Sequence, residues 1–503
     1  MRGLIESKLM ASPRGARFFA KKGASSRVFT KPHLKQKRPL GFLKSQKAGG
    51  GLGMLSKRDK IKNILNIAVP SGLQMCLDVV TLFCALFFLS NISLLHFTAL
   101  SLGSNYILIF YPLSAVFGIG ANVLMSHRYG IKAYDDMNLA FSTMFHSALV
   151  LSLPVLLVAY LGIAFYLREL HLEGELYDLS FYYVGLTIFA IPAIMLKTVI
   201  SSGFAATGNT RRPFYVKIAM TALSILGYAT LIEGKLGIEG LGLLGAALVS
   251  LVVSYLELAC LYLLIRFSKT KLKLVLAFRW GLLKKGLRIA VPTGLERIFS
   301  LVALNVVLIF VAKYGVVYGD SALSGFQSGA KIESLSFIPG FGFMLAIMSL
   351  MGHCLATKDY ALAKDYAALC CLLSSILLGV LGLLLALLAK PLSLLFITND
   401  QSALEISISY LVIIGLSQIP LILSFVYDGA LRGAGWTHIP LFVNITSISL
   451  FRLLPMYIAS SSGWHLYSLF VIMFVETYIR AMIFYFIFRS GIWQKSRNIL
   501  EST

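Results

Sequence analysis

Asp78, Glu296, Glu333 and Asp428 are carboxylates that lie inside long apolar stretches of this chain. Lys331 and Gln327 accompany Glu333 in the same stretch, and Arg297 follows Glu296 directly. An ionisable group held among apolar residues is costly, and within a bilayer it marks an ion or substrate pathway by default. The chemistry open to such carboxylates is reversible: take up a proton, bind a cation, or pair with a fixed base. A lone carboxylate such as Glu333 is costly to keep charged at mid-depth, which suits proton exchange. Lys331 and Glu333 are two residues apart and project to different sides of a helix, so they do not pair with each other. Asp428 stands four residues before Arg432 and Glu476 four before Arg480, the spacing of a local helical ion pair. Lys197, Glu257 and Arg452 are further charges in apolar runs, and His127 and His353 sit where such runs end.

The apolar stretches decide what kind of molecule positions these groups. Of 503 residues, 57% are hydrophobic and only 13% charged, about half the charged share of a soluble domain. Runs such as 149–166 and 372–388 approach the ~20 residues that cross a bilayer as a helix. The chain is therefore read as a polytopic membrane protein. Its net charge of +23 lies between apolar runs, the pattern of cytoplasmic loops rather than of a nucleic-acid-binding surface. Six cysteines occupy apolar surroundings without a C-x-x-C pair, so neither a disulfide framework nor a metal site is expected.

An internal repeat organises the runs. Ile67-Ala-Val-Pro-Ser-Gly-Leu73 returns as Ile289-Ala-Val-Pro-Thr-Gly-Leu295, 222 residues later. His127, Lys132 and Tyr134 return as His353, Lys358 and Tyr360 at an offset of 226, and Gly208 to Pro213 as Gly435 to Pro440 at 227. Three matches in one order mean two copies of one unit. The expected fold is all-α and integral to the membrane, with twelve transmembrane helices in two six-helix lobes. Six helices per lobe give both copies the same orientation, so a pseudo-twofold along the membrane normal relates them. The expected spans are 61–90, 98–127, 138–166, 178–206, 213–232 and 241–267, then 286–313, 324–355, 362–389, 404–431, 438–459 and 465–489. Pro112, Pro192, Pro339 and Pro420 fall inside spans at repeat-related places, as kinks or as static packing bends.

The expected divisions are a basic extension (1–56), a first lobe (57–267), a basic connector (268–285), a second lobe (286–490) and a tail (491–503). The connector region holds Arg266, Lys269, Lys271, Lys273, Arg279, Lys284, Lys285 and Arg288, whereas 168–178 holds four acids and one arginine. This asymmetry puts both termini in the cytoplasm. The extension carries about +14 within the first 60 residues. It reads as a tail touching anionic lipid, as a transit-type segment, or as sequence upstream of a true start at Met54.

No G-x-x-x-x-G-K-[ST] motif is present, and the loops leave no room for a nucleotide-binding domain. The segments Gly203-Phe-Ala-Ala-Thr-Gly-Asn-Thr-Arg-Arg-Pro213 and Gly429-Ala-Leu-Arg-Gly-Ala-Gly-Trp-Thr-His-Ile-Pro440 resemble the pattern of multidrug and toxic compound extrusion (MATE) transporters after helices 4 and 10. Ala290-Val-Pro292 and Lys331-Ile-Glu-Ser-Leu-Ser-Phe-Ile-Pro339 fit the same family, and the likeness covers about 57–490. The resemblance implies a two-lobed fold with a V-shaped cavity that exports organic cations or other amphipathic compounds against H⁺ or Na⁺. It implies an acid in helix 1 where this chain has Ala85, with Asp78 two turns earlier. It implies a cation-binding glutamate in helix 7, to which Glu296 comes closest, and a helix-10 acid about two turns before Asp428.

The site expected to carry coupling or substrate is therefore Glu333, Glu296, Asp78, Asp428, Lys331 and Gln327. No catalytic group, metal or cofactor beyond the coupling H⁺ or Na⁺ is expected, and no enzymatic activity. The partners expected are an amphipathic or cationic small molecule and membrane lipid, not nucleic acid. The chain is expected to work as a monomer in the inner (plasma) membrane. A lipid-linked saccharide flippase of the same superfamily is the nearest alternative, and a membrane-embedded transferase a distant one.

Overall fold

The computed structural model describes residues 55–234, 239–267, 271–397 and 400–495. The basic extension to residue 54, Lys269 of the connector and the tail from 496 lie outside the described residues. Among the described residues nine helices are long and apolar enough to cross a bilayer, and twelve spans result when each of three bent pairs is one. Six fall in each sequence copy. Their bounds follow the hydropathy runs within a few residues; span 7 begins earlier than its apolar core, at Trp280.

The prolines decide where spans bend. Span 2 is Leu94–Leu108 followed by Tyr111–Gly130 at 43°, and span 8 is Ser321–Phe337 followed by Gly340–Ala356 at 41°. Span 10 is Gln401–Gly415 followed by Gln418–Gly433 at 54°. In span 4 a single 3₁₀ turn, Ile188–Ala190, precedes Ile191–Ala206. Pro112, Pro192, Pro339 and Pro420 each stand beside one of these breaks. A proline there lacks the N–H that would continue the preceding helix, while its fixed φ suits the first turn of the next.

The second and third repeated motifs prove to be matching helix ends, while the first lies inside spans 1 and 7. Lys132 and Lys358 adopt left-handed φ values of 61° and 57°, and Gly208 and Gly435 values of 73° and 81°. After each, the chain closes the same pair of bonds. Ala133 N–H donates to Arg128 C=O and Asp359 N–H to Cys354 C=O; Asn209 N–H donates to Phe204 C=O and Trp436 N–H to Leu431 C=O. This reversal satisfies carbonyls that a helix end would leave bare. The glycines take it without strain.

The lobes meet in a pseudo-symmetric way. Span 1 crosses span 8, where a Cβ on Gly72 would lie 2.7 Å from the Pro339 carbonyl oxygen. Span 7 crosses span 2, where a Cβ on Gly294 would meet Val116 and approach the Pro112 carbonyl. Spans 2 and 8 cross each other: Gly130 packs on His353 and Ala356, Gly352 on Ser126, and Asn122 shares hydrogen bonds with Ser349 at 3.2 Å. Small residues let backbones approach where lipid supplies no hydrophobic drive between helices.

Burial shows which half of the bundle is closed. In span 2 every residue from 116 to 130 is buried, while Asn105, Leu108, Ile109 and Tyr111 are exposed. In span 8 the segment after Pro339 is mostly buried, while Ser324, Gln327 and Lys331 before it are exposed. The lobes therefore close around the ends that carry 130 and 356 and part towards the other face.

Candidate functional site

Each lobe carries a charged network in its interior. In the first lobe Lys217 of span 5 is the hub: its ammonium lies 2.5 Å from Asp78 of span 1 and 3.3 Å from Glu257 of span 6. Lys197 of span 4 reaches the same Glu257 oxygen at 2.7 Å. The glutamate is buried between its two lysines, whereas 59% of the Asp78 side chain is exposed. Two acids thus face two bases, drawn from four helices.

In the second lobe Arg432 of span 10 is the hub and is almost fully buried. It grips both oxygens of Asp428 one turn before it, donates to Thr293, and donates to Glu296 of span 7 at 2.6 Å. Asn444 of span 11 donates to the other Glu296 oxygen at 2.8 Å. Such a guanidinium satisfies several acceptors at once because its donors form a fixed planar fork. Beyond it, Glu476 of span 12 is fully buried, accepting from Ser447 at 2.7 Å and from Arg452, with Arg480 at 3.4 Å. Arg452 sits in a π-helical turn, Ile448–Leu453. Widened turns of this type re-aim a side chain and recur at functional sites. Both lobes therefore end in a helix whose buried glutamate is clasped by two cations.

Glu333 is different. It accepts from the Tyr410 hydroxyl at 2.5 Å and from the Gln418 amide at 3.3 Å, and Gln418 is itself fixed by Ser336 at 3.1 Å. Of Asp78, Glu257, Glu296, Glu333, Asp428 and Glu476, it is the one without a direct ion pair, although Arg452 is near enough for its charge to act on it. Its partners hold it between the first half of span 8, Ser321–Phe337, and both halves of span 10.

The expected site residues thus separate into three settings. Glu296 and Asp428 share Arg432, so they form one unit. Glu333 forms a second, fixed by neutral donors. Asp78 stands apart in the first lobe. It projects from span 1 on the exposed side of Lys217, while Ala85, the aligned position, is buried in the first-lobe core. Gln327 and Lys331 are exposed, one turn apart, on the face of span 8 away from Glu333. The face of Lys331 continues into Leu335 and Ile338, which line an apolar cleft of about 480 Å³ against Cys76, Val80, Phe83 and Phe87 of span 1.

The sequence reading takes Glu476 and Arg480 for a local pair; the structure widens this pair into a cluster with Arg452. It leaves out Lys217 altogether, though a lone lysine in an apolar run was a usable signal. Tyr410, Gln418 and Asn444 gave none, being uncharged. Among the described residues no three His, Cys, Asp or Glu side chains gather as a metal site.

The comparisons bear on this arrangement. A family model described as MatE matches the chain twice, over residues 70–229 and 292–458, one match per lobe. A probable multidrug resistance protein NorM of Thermotoga maritima is 26% identical over 444 residues, covering 86% of this chain and 93% of the relative. A probable multidrug resistance protein YoeA of Bacillus subtilis is 23% identical, covering 69% and 76%. Among solved structures, a MOP superfamily transporter from Pyrococcus furiosus, described as having a binding pocket of reverse polarity, superposes with a TM-score of 0.80 at 17% identity, covering 88% of this chain and 97% of that one. A multidrug resistance MATE family transporter in an outward-facing conformation gives 0.79 at 17% identity, with the same coverage. A bundle of two six-helix lobes, each matched by the family model, identifies this chain as a member of the MatE family of membrane transporters.

Proposed function

We propose that the protein is a secondary exporter of amphipathic compounds, driven by inward proton flow, in which Glu333 carries the proton. The observation behind this reading is that Glu333 lacks a fixed cation. Asp78, Glu257, Glu296, Asp428 and Glu476 are each matched by lysine or arginine. A proton arriving at any of those must break an ion pair; at Glu333 it breaks none, since the nearest cation, Arg452, acts only from a distance.

The same comparison favours H⁺ over Na⁺. Glu296, Asp428, Thr293 and Asn444 supply oxygens of the kind that hold a small cation, but the guanidinium of Arg432 already lies among them. A sodium ion entering there meets a permanent positive charge.

The coupling follows from where Glu333 sits. Charged, it holds the outer half of span 8 to span 10 through Tyr410 and Gln418. Protonated, it has less attraction for both donors, and that half is freed to swing about the bend at Pro339. Its opposite face, with Gln327 and Lys331, borders the open side. Protonation and substrate occupancy then favour different positions of one segment, which is what exchange requires. With both termini in the cytoplasm, as the loop charges favour, the parted face is the outer one. The drug-resistance names of the relatives agree with an exporter, and the flippase reading is not retained.

The test is efflux of ethidium from proteoliposomes under an imposed pH or Na⁺ gradient. A pH gradient alone is expected to drive transport. Glu333→Gln is expected to lower gradient-driven flux at least tenfold while ethidium still binds. Transport driven by Na⁺ alone, or wild-type flux in Glu333→Gln, overturns the assignment.

A further inference from the structure

We propose that the connector between the lobes is a binding site for anionic phospholipid. The segment from 271 to 279 has no regular secondary structure, yet it is fixed in place. Leu272 is fully buried. The backbone N–H groups of Lys273, Val275 and Arg279 donate to the side chains of Asn138, Ser142 and Thr143, at 2.8, 2.9 and 3.3 Å. These three acceptors lie within two turns of span 3, so the connector is laid against that helix as a strap.

What the strap presents outward is unusual for a surface in water. Leu276 is 100% exposed and Trp280 68%, and Val275 and Phe278 are exposed beside them. Phe278 and Trp280 form an edge-to-face pair with centroids 5.4 Å apart. Apolar side chains grouped this way mark a contact surface. An aromatic pair at the end of a membrane span belongs at the level of lipid headgroups.

A cation cluster adjoins the apolar group. Arg128 at the inner end of span 2, Arg279 of the strap and Lys285 of span 7 lie near enough for their charges to repel one another, with Asp136 as the acid that acts on Arg128. Arg128 is buried, and its guanidinium donates to the Leu124 carbonyl at 2.9 Å. Three cations with one nearby acid leave an excess of positive charge that suits a phosphodiester. Leu276, Phe278 and Trp280 reach the acyl region beside it, which a free phosphate ion does not use. Membrane lipid is therefore the source, and the headgroup joins span 2 of one lobe to span 7 of the other, next to the crossing where Gly130 meets His353. Bound lipid favours the state in which this crossing is closed.

The test uses the full chain in nanodiscs of phosphatidylcholine with increasing phosphatidylglycerol. Anionic lipid is expected to raise the melting temperature of the wild type. Arg279→Gln with Lys285→Gln is expected to shift the lipid content giving half the effect by about thirtyfold, as two lost surface cations imply. Lys364→Gln, on the same face but outside the cluster, is expected to leave the response unchanged. In a second measurement, brominated acyl chains quench Trp280, read as the difference from Trp280→Phe. Equal melting in both lipids, or a double variant that responds as the wild type, overturns the site. Inorganic phosphate reproducing the effect without quenching overturns the lipid as its occupant, as would a Lys364→Gln loss equal to that of the double variant.

Discussion

Arg432 donates to Glu296 at 2.6 Å across 136 residues of sequence, and the same guanidinium holds Asp428 one turn before it. Two buried carboxylates, on which Arg297 and Arg480 act only from a distance, therefore share one directly bonded cation. Removing it leaves both charges unpaired, at a cost of about 3–5 kcal/mol. Arg432→Ala is expected to lower the melting temperature of the detergent-solubilised protein severely, or to abolish its accumulation in membranes. Glu296→Gln keeps shape and loses one charge, so its melting point is expected to fall much less. Equal melting of Arg432→Ala and the wild type contradicts the shared role.

Tyr410 separates positioning of Glu333 from its proton chemistry. Tyr410→Phe removes the donor at 2.5 Å and leaves the carboxyl. A hydrogen bond to a charged group is worth about 1.5–3 kcal/mol, so its loss is expected to ease protonation. The half-maximal point of pH-driven ethidium efflux then moves to higher pH, while Glu333→Gln shows no such dependence. A pH profile unchanged in Tyr410→Phe removes the hydrogen bond from the coupling scheme.

In the first lobe the ranking of acids follows exposure. Glu257 is buried between two lysines, while most of the Asp78 side chain is accessible. Glu257→Gln strips the buried lysines of their shared acid and is expected to destabilise strongly. Asp78→Asn leaves Lys217 with Glu257 and is expected to change melting by less than about 1 kcal/mol, the range of an exposed ion pair. Thermal melts of both variants decide this; a larger loss in Asp78→Asn reverses the order.

Gly352 tests the closed crossing. A Cβ there would be forced into Ser126 of the other lobe. Gly352→Leu is expected to prop the closed ends of spans 2 and 8 apart. The buried segments around 120–130 and 342–356 should then exchange backbone hydrogens faster, and transport should fall. Wild-type protection in both segments shows that the crossing tolerates the side chain.

Much of this architecture was written in the residues themselves. Long apolar runs dictate spans because a backbone in lipid satisfies its hydrogen bonds only within a helix or a closed barrel. The repeated Gly208 and Gly435 mark equivalent helix ends because the reversal there uses a conformation open to glycine. The four prolines foretold the breaks for an equally local reason. Each of these features depends on a few neighbouring residues, so one dimension is enough to see it.

The use made of each charge was settled by packing. Asp78, Glu296, Glu333 and Asp428 look alike along the chain, as acids in apolar runs. Only the assembled bundle gives Glu296 and Asp428 a common arginine, leaves Asp78 open beside Lys217, and gives Glu333 neutral donors as its direct partners. Partners 77 to 148 residues away decide which carboxylate is free to exchange a proton, because electrostatic balance depends on distances in space that helix periodicity does not encode.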